Sequence, residues 1–142
     1  MFVCRRNSCR SQMAEGFAKT LGEGEQYSAR KGRSLRSLRK IAVTSSGLEA
    51  SRVHPTAVEV MSEIGIDISK QTSDALSDFK ADDYDAVISM CGCGTGLPPE
   101  WVTREIFEDW ELDDPDGQPI ETFHRVRDEI KERVAKLIMQ LS

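Results

Sequence analysis

Residues 85–90, DAVISM, hold an apolar run with no alternation of polar and apolar side chains. A strand of that pattern is buried on both faces, and such strands belong to parallel sheets covered by helices on each side. The rest of the chain supplies the covers. RSQMAEGFAKTLG, at 10–22, repeats Met13, Phe17 and Leu21 every four residues, which is helical spacing, and Gly22 can stop the helix. HPTAVEVMSEIG, at 54–65, reads as a helix with Pro55 in its first turn and Val58, Met61 and Ile64 on one side. The longest helix is the last, where Ile120, Phe123, Val126, Ile130, Val134, Leu137 and Leu141 keep steps of three and four. Residues 1–4, KIAVTSSG at 40–47 and, more weakly, EIFEDWEL at 105–112 are further strand candidates. Strands alternating with helices predict an α/β fold, a parallel sheet with helices on both faces.

The chain of 142 residues fits one domain, 1–142. Its 39% apolar and 30% charged residues describe a soluble globular protein, and no window approaches the roughly 20 apolar residues that a membrane span requires. Phe2 and Val3 run into Arg5 and Arg6 without the apolar stretch and cleavage site of a signal peptide, so a cytoplasmic protein is expected. A net charge of −5 argues against a nucleic-acid partner. EGEQYSARKGRSLRSLRK, at 23–40, is polar and basic; it reads as a flexible surface insertion over about 24–40, with a partner-binding arm as the alternative.

In a reducing compartment, four cysteines point to reactive or metal-binding roles rather than to structural disulfides. Cys91 and Cys93 form CGC directly after the DAVISM strand. No further cysteine pair has ligand spacing, and His54 and His124 are far off in sequence, so no metal site is expected. Cys4 and Cys9 lie in the opening, MFVCRRNSCRSQ. If that loop joins a strand end to a helix N-terminus, its backbone amides can converge on one point where the helix dipole also favours negative charge. A cysteine there faces a field that favours the thiolate, the reactive form. Arg10 can grip two oxygens of a tetrahedral anion through its planar fork. Asn7 suits a left-handed turn position, and Ser11 can donate to the sulfur.

CRRNSCRS, after a strand and before a helix, resembles the C-x5-R-S anion loop of the low-molecular-weight tyrosine phosphatase superfamily, and FVC..NSCRSQMAEGFA resembles its arsenate reductases. The resemblance continues through TSSGLE, HPTAVEVMSEIGIDIS, QTSD, VISMCGCG, LPPEWVTREIFEDWELDDP and FHRVRDEIKERV. It implies a four-stranded parallel sheet flanked by helices. It also implies Cys4 as nucleophile, Arg10 as oxyanion ligand, and Asp114, the aspartate directly before Pro115, as general acid. Residues Arg5, Arg6, Asn7, Ser8, Cys9, Arg10 and Ser11 would form the substrate loop, with Cys9 a buried structural thiol and Ser45 and QTSD as braces. The implied substrate is arsenate, with phosphate or sulfate as competing anions.

A reductase must deliver two electrons, so a second thiol has to attack the Cys4 sulfur, and either Cys91 or Cys93 can serve. Their separation by one glycine resembles the branch that draws electrons from glutathione and glutaredoxin, with no bound cofactor. Two other functions remain open at this point: a phosphatase that hydrolyses its phosphocysteine with water, and a non-catalytic module that binds arsenite through CGC. Arg5 and Arg6 stand where relatives carry a small or apolar residue and glycine. They either raise the local positive potential, attracting oxyanion and anionic glutathione, or form a solvated basic pair.

Overall fold

The computed structural model of the chain describes residues 1–22, 41–90 and 96–141. The basic segment at about 24–40, Cys91 and Cys93 therefore lie outside the described residues. Four strands, β1 (Phe2–Cys4), β2 (Ser45–Gly47), β3 (Ala86–Ser89) and β4 (Ile106–Asp109), form one sheet in the order β2-β1-β3-β4. All neighbouring pairs are parallel, with Phe2 opposite Ser45 and Ile88, and Val87 opposite Phe107. The helices are α1 (Arg10–Gly22), α2 (Pro55–Ser62), the short α3 (Pro99–Val102) and α4 (Ile120–Leu141), with single 3-10 turns at Leu76–Asp78 and Ala81–Asp83. This is the four-stranded parallel sheet flanked by helices expected from the sequence.

Side chains alternate across a strand, and here both faces are covered. Phe2, Cys4, Ile88 and Met90 join the larger core with Met13 and Phe17 of α1, Val60 and Met61 of α2, and Phe123, Val126 and Ile130 of α4. Val3 and Val87 point the other way, into a smaller core with Leu76, Ala81, Leu97 and Trp101. Phe17 and Phe123 are fully enclosed, and burial stabilises the fold by about 2 kcal/mol for each such ring. Gly16 makes room for α1 to lie close to its neighbours, since a Cβ there would stand 2.7 Å from the Ile68 side chain.

Two expectations need correction. The second strand is three residues long and starts at Ser45, not at 40 or 41. It pairs with β1, where the Phe2 N–H donates to the Thr44 carbonyl at 2.9 Å, and at its end Gly47 bridges Ala75. Ile41 and Val43, ahead of it, are half-buried against the larger core. Likewise α2 stops at Ser62, and its buried face is Ala57, Val60 and Met61, with Val58 half-buried and Ile64 exposed. Gly65, at φ 81°, is the reason: a residue in the left-handed region ends the helix and the turn carries Ile64 outward. Among the described residues, no helix is long and apolar enough to cross a membrane.

Candidate active site

β1 delivers Cys4 to the C-terminal edge of the sheet, where it is buried, and residues 5–9 curl over it before α1 begins at Arg10. The curl depends on Asn7, the only non-glycine residue with positive φ (49°) among those described. An asparagine tolerates that region better than most side chains. The loop's carbonyls are turned outward and used: those of Cys4, Arg5 and Ser8 accept from the N–H of Leu48, Glu49 and His54, and that of Arg6 from the Ser73 hydroxyl. The backbone N–H groups of residues 5–10, by contrast, donate no hydrogen bond among the described residues. A loop with spoken-for carbonyls, open amides and a helix N-terminus at its end has the chemistry to receive an anion.

Gly47 holds the loop from beneath. A Cβ at this position would stand 2.5 Å from the Asn7 nitrogen and 2.7 Å from the Arg6 carbonyl carbon, so no side chain fits. The Asn7 side chain is fully buried and has every polar atom engaged. Its Nδ2 donates to Ser11 Oγ at 2.8 Å and to Ser45 Oγ at 2.9 Å, while its Oδ1 accepts from the Asp74 N–H at 2.8 Å. Ser45 in turn donates to the Glu15 carboxylate, which also pairs with Lys19. Gln12 donates to the Asn7 carbonyl and to the Thr72 carbonyl, joining the loop to the 71–74 segment.

Ser11 Oγ lies 2.9 Å from Cys4 Sγ. Arg10, also buried, is fixed by two backbone carbonyls, donating from Nη1 to Met90 and to Leu112 at 3.0 Å each. This leaves its Nη2 3.7 Å from the carboxylate of the half-exposed Asp114. A cavity of about 170 Å³ collects these groups, lined by Cys4, Arg5, Arg6, Ser8, Cys9, Arg10, Asp114 and Asp116, with no aromatic ring among them. Arg5 and Arg6 are exposed at its rim. Cys9 is buried in the core below, and that burial pushes its thiol from an ordinary 9.0 up to about 12, which keeps it protonated at neutral pH. No cluster of metal-ligating side chains occurs among the described residues.

The structure thus gathers Cys4, Arg5, Arg6, Asn7, Ser8, Cys9, Arg10, Ser11 and Asp114 in one place, whereas Cys91 and Cys93 are not among the described residues. Sequence reading gave no role in this site to Glu15, Gln12, Gly47, His54 or Asp116. Of these, only His54 carried a local signal, standing before the proline that opens a helix, where an N-cap belongs. Glu15 and Asp116 act across 30 and 62 residues of chain, and Gln12 across 60 as well as 5, so spacing gave little to reveal them.

The pattern of the family described as low molecular weight phosphotyrosine protein phosphatase matches residues 1–142. The chain is 65% identical over 142 residues to the glutaredoxin arsenate reductase of Synechocystis sp. (strain ATCC 27184 / PCC 6803 / Kazusa), covering 100% of this chain and 97% of that one. It is 39% identical over 130 residues to an arsenate reductase of Staphylococcus aureus (strain Newman), covering 92% and 88% of the two chains. A solved arsenate reductase in the phosphate binding state superimposes with a TM-score of 0.84 at 65% identity, covering 100% of this chain and 97% of that one. The chain therefore belongs to the low molecular weight phosphotyrosine protein phosphatase family, alongside relatives of this identity that are arsenate reductases.

Proposed function

We propose that this protein is an arsenate reductase that works by cysteine redox chemistry, one cytoplasmic domain over 1–142 that takes its electrons from glutathione through glutaredoxin. The observation that carries the reading is the cavity in which Cys4, with Ser11 at 2.9 Å, faces open loop amides and the anchored Arg10 guanidinium. Its size suits a tetrahedral oxyanion such as arsenate, for which phosphate or sulfate would compete. The phosphate-binding state of the solved relative is in keeping with that competition.

The Cys4 thiolate attacks arsenic and forms a sulfur–arsenic bond, while one arsenic oxygen leaves as water with a proton from Asp114. Arg10 and the loop amides hold the remaining oxygens as charge shifts onto them. The thiolate of Cys91 or Cys93 then attacks the Cys4 sulfur. The sulfur–arsenic electron pair stays with arsenic, which leaves as arsenite, and a disulfide joins Cys4 to the attacking cysteine. The other cysteine of the CGC pair passes the disulfide on, glutathione opens it, and glutaredoxin resolves the glutathione mixed disulfide. Two thiols supply the two electrons of each turnover, and two glutathione molecules restore them.

A phosphatase would share Cys4, Arg10 and Asp114 but needs neither CGC cysteine. Among the described residues no ring lines the cavity, which disfavours an aryl ester, since that would want a stacking partner. The deciding measurement is arsenate-dependent NADPH consumption with glutathione, glutaredoxin and glutathione reductase, run beside a thioredoxin system and beside Cys93→Ser. Turnover with the glutathione system that is lost in the variant is expected. Aryl phosphate hydrolysis that survives Cys93→Ser, without arsenate turnover, would overturn the reading.

A further inference from the structure

His54 makes three different connections at once. Its backbone N–H donates to the Ser8 carbonyl at 3.0 Å, which ties it to the anion loop. Its Nδ1 accepts from the Thr56 N–H at 3.1 Å, which makes it the N-cap of α2. Its Nε2 lies 3.1 Å from Asp116 Oδ1. Because Nδ1 is the acceptor, the proton of the neutral ring is on Nε2, and Nε2 is therefore the donor to Asp116. The ring also lies against Phe123, with centroids 5.1 Å apart, so it has little freedom to turn.

Asp116 belongs to the turn that carries Asp114. The two are joined directly, since the Asp116 N–H donates to Asp114 Oδ1 at 3.0 Å. Through its other oxygen, and among the described residues, Asp114 meets Arg10, at 3.7 Å, and it is half-exposed. No other side chain among the described residues is recorded in contact with its carboxyl, and the neighbouring Asp113 is engaged by the exposed Arg125 at 2.8 Å. From this geometry we infer that His54 is a positioning residue for the reaction: through Asp116 it sets where the Asp114 carboxyl stands relative to the anion loop.

The inference deepens the proposed function and rests on Asp114 being the proton donor. An acid that has wandered by an ångström loses much of its advantage, by as much as about a hundredfold in rate. A link that spans both loops from one rigid ring prevents that. His54→Asn is the informative variant, because asparagine is among the best N-caps and keeps the Thr56 bond, while its shorter side chain cannot reach Asp116.

The test compares the rate of arsenite formation in the first turnover for the native protein, Asp114→Asn, His54→Asn, the double variant, Asp116→Asn and Asp116→Ala. Iodoacetamide alkylation of Cys4 and thermal unfolding are followed on the same samples. His54→Asn is expected to slow arsenite formation on the order of tenfold with arsenate KM, Cys4 alkylation and melting temperature little changed. Asp116→Ala should match it, Asp116→Asn, which can still accept from Nε2, should recover most of the rate, and the double variant should be no slower than Asp114→Asn alone. A rate unchanged in His54→Asn while Asp114→Asn is slow would overturn the inference and leave the acid assignment standing. Additive losses in the double variant would also overturn it, as they would mean that His54 acts other than through Asp114. A normal rate in Asp114→Asn would overturn the acid assignment and the inference with it.

Discussion

Ser11 Oγ receives a hydrogen bond from Asn7 Nδ2 at 2.8 Å and stands 2.9 Å from Cys4 Sγ, so a Cys4 thiolate, which can only accept, takes the Ser11 proton in a hydrogen bond. Asn7 has no choice of orientation, because its Oδ1 is taken by the Asp74 N–H. The hydroxyl is thus placed to hold the attacking sulfur. Ser11→Ala is expected to slow iodoacetamide alkylation of Cys4 at neutral pH, and arsenate turnover with it, by roughly ten- to a hundredfold, the worth of one hydrogen bond to a charged group. Asn7 Nδ2 keeps Ser45, so melting temperature should fall only slightly. Unchanged alkylation would show that the Cys4 thiolate does not depend on this hydroxyl.

Arg10 holds two carbonyls and faces the cavity with the rest of its fork. Lysine brings the same charge without the plane, so it cannot serve Met90, Leu112 and an oxyanion together. Arg10→Lys should cost at least about a hundredfold in kcat/KM for arsenate, comparable to removing an oxyanion donor. It should also abolish competition by phosphate. Retained phosphate competition in the variant would mean that the loop amides alone bind the anion.

Gly47 tests the support under the loop. Gly47→Ala drives a methyl into the backbone of Asn7 and Arg6, neither of which can move without opening the anion loop. Urea unfolding should show a loss of about 2 kcal/mol or more, in the range of an overpacked core. Turnover should be lost even at temperatures where the variant remains folded. Near-native activity in Gly47→Ala would mean that the loop tolerates a shift of several tenths of an ångström.

Cys9 offers a pH test with a definite sign. Its folded thiol is pushed up to about 12 from an ordinary 9.0, by burial first of all. The unfolded chain therefore loses this proton at lower pH than the folded protein does. Below pH 9 the difference contributes nothing to the pH dependence of stability. As pH rises above 9 the unfolded state gains, by about 1.4 kcal/mol per pH unit. Stability followed from pH 8 to 11 should fall more steeply in the native protein than in Cys9→Ala, and Cys9 should resist alkylation at pH 8. Parallel slopes would show that Cys9 ionises as easily in the folded protein as out of it.

Arg5 and Arg6 stand exposed at the rim, above a cavity whose opposite side carries Asp114 and Asp116. An anionic tripeptide thiol has reason to approach on the basic side. Replacing both with alanine should raise the KM for glutathione several-fold and flatten its dependence on ionic strength, while turnover with dithiothreitol, an uncharged thiol, stays the same. A proportionate loss with dithiothreitol would assign the pair to arsenate binding instead.

What could be read from the sequence was whatever depends on near neighbours. DAVISM marked a strand buried on both faces, now β3, because a run without alternation has no solvent side. Met13 and Phe17 marked α1, and Phe123, Val126, Ile130, Val134 and Leu137 marked α4, because helical spacing gathers such side chains on one stripe. Cys4, Asn7, Arg10 and Ser11 lie within eight residues, so a single turn and a helix start suffice to bring them together. Strand length was not local: the three residues of β2 are those that pair with β1.

The supports of the site were decided by the tertiary structure alone. Arg10 is held by carbonyls 80 and 102 residues away, and the Asp116 carboxylate meets a histidine 62 residues earlier. Gly47 is required by a loop that closes 40 residues before it. A hydrogen bond depends on distance and angle between groups in space, and sequence separation carries no information on either until the sheet brings the ends of β1, β2 and β3 to a common edge.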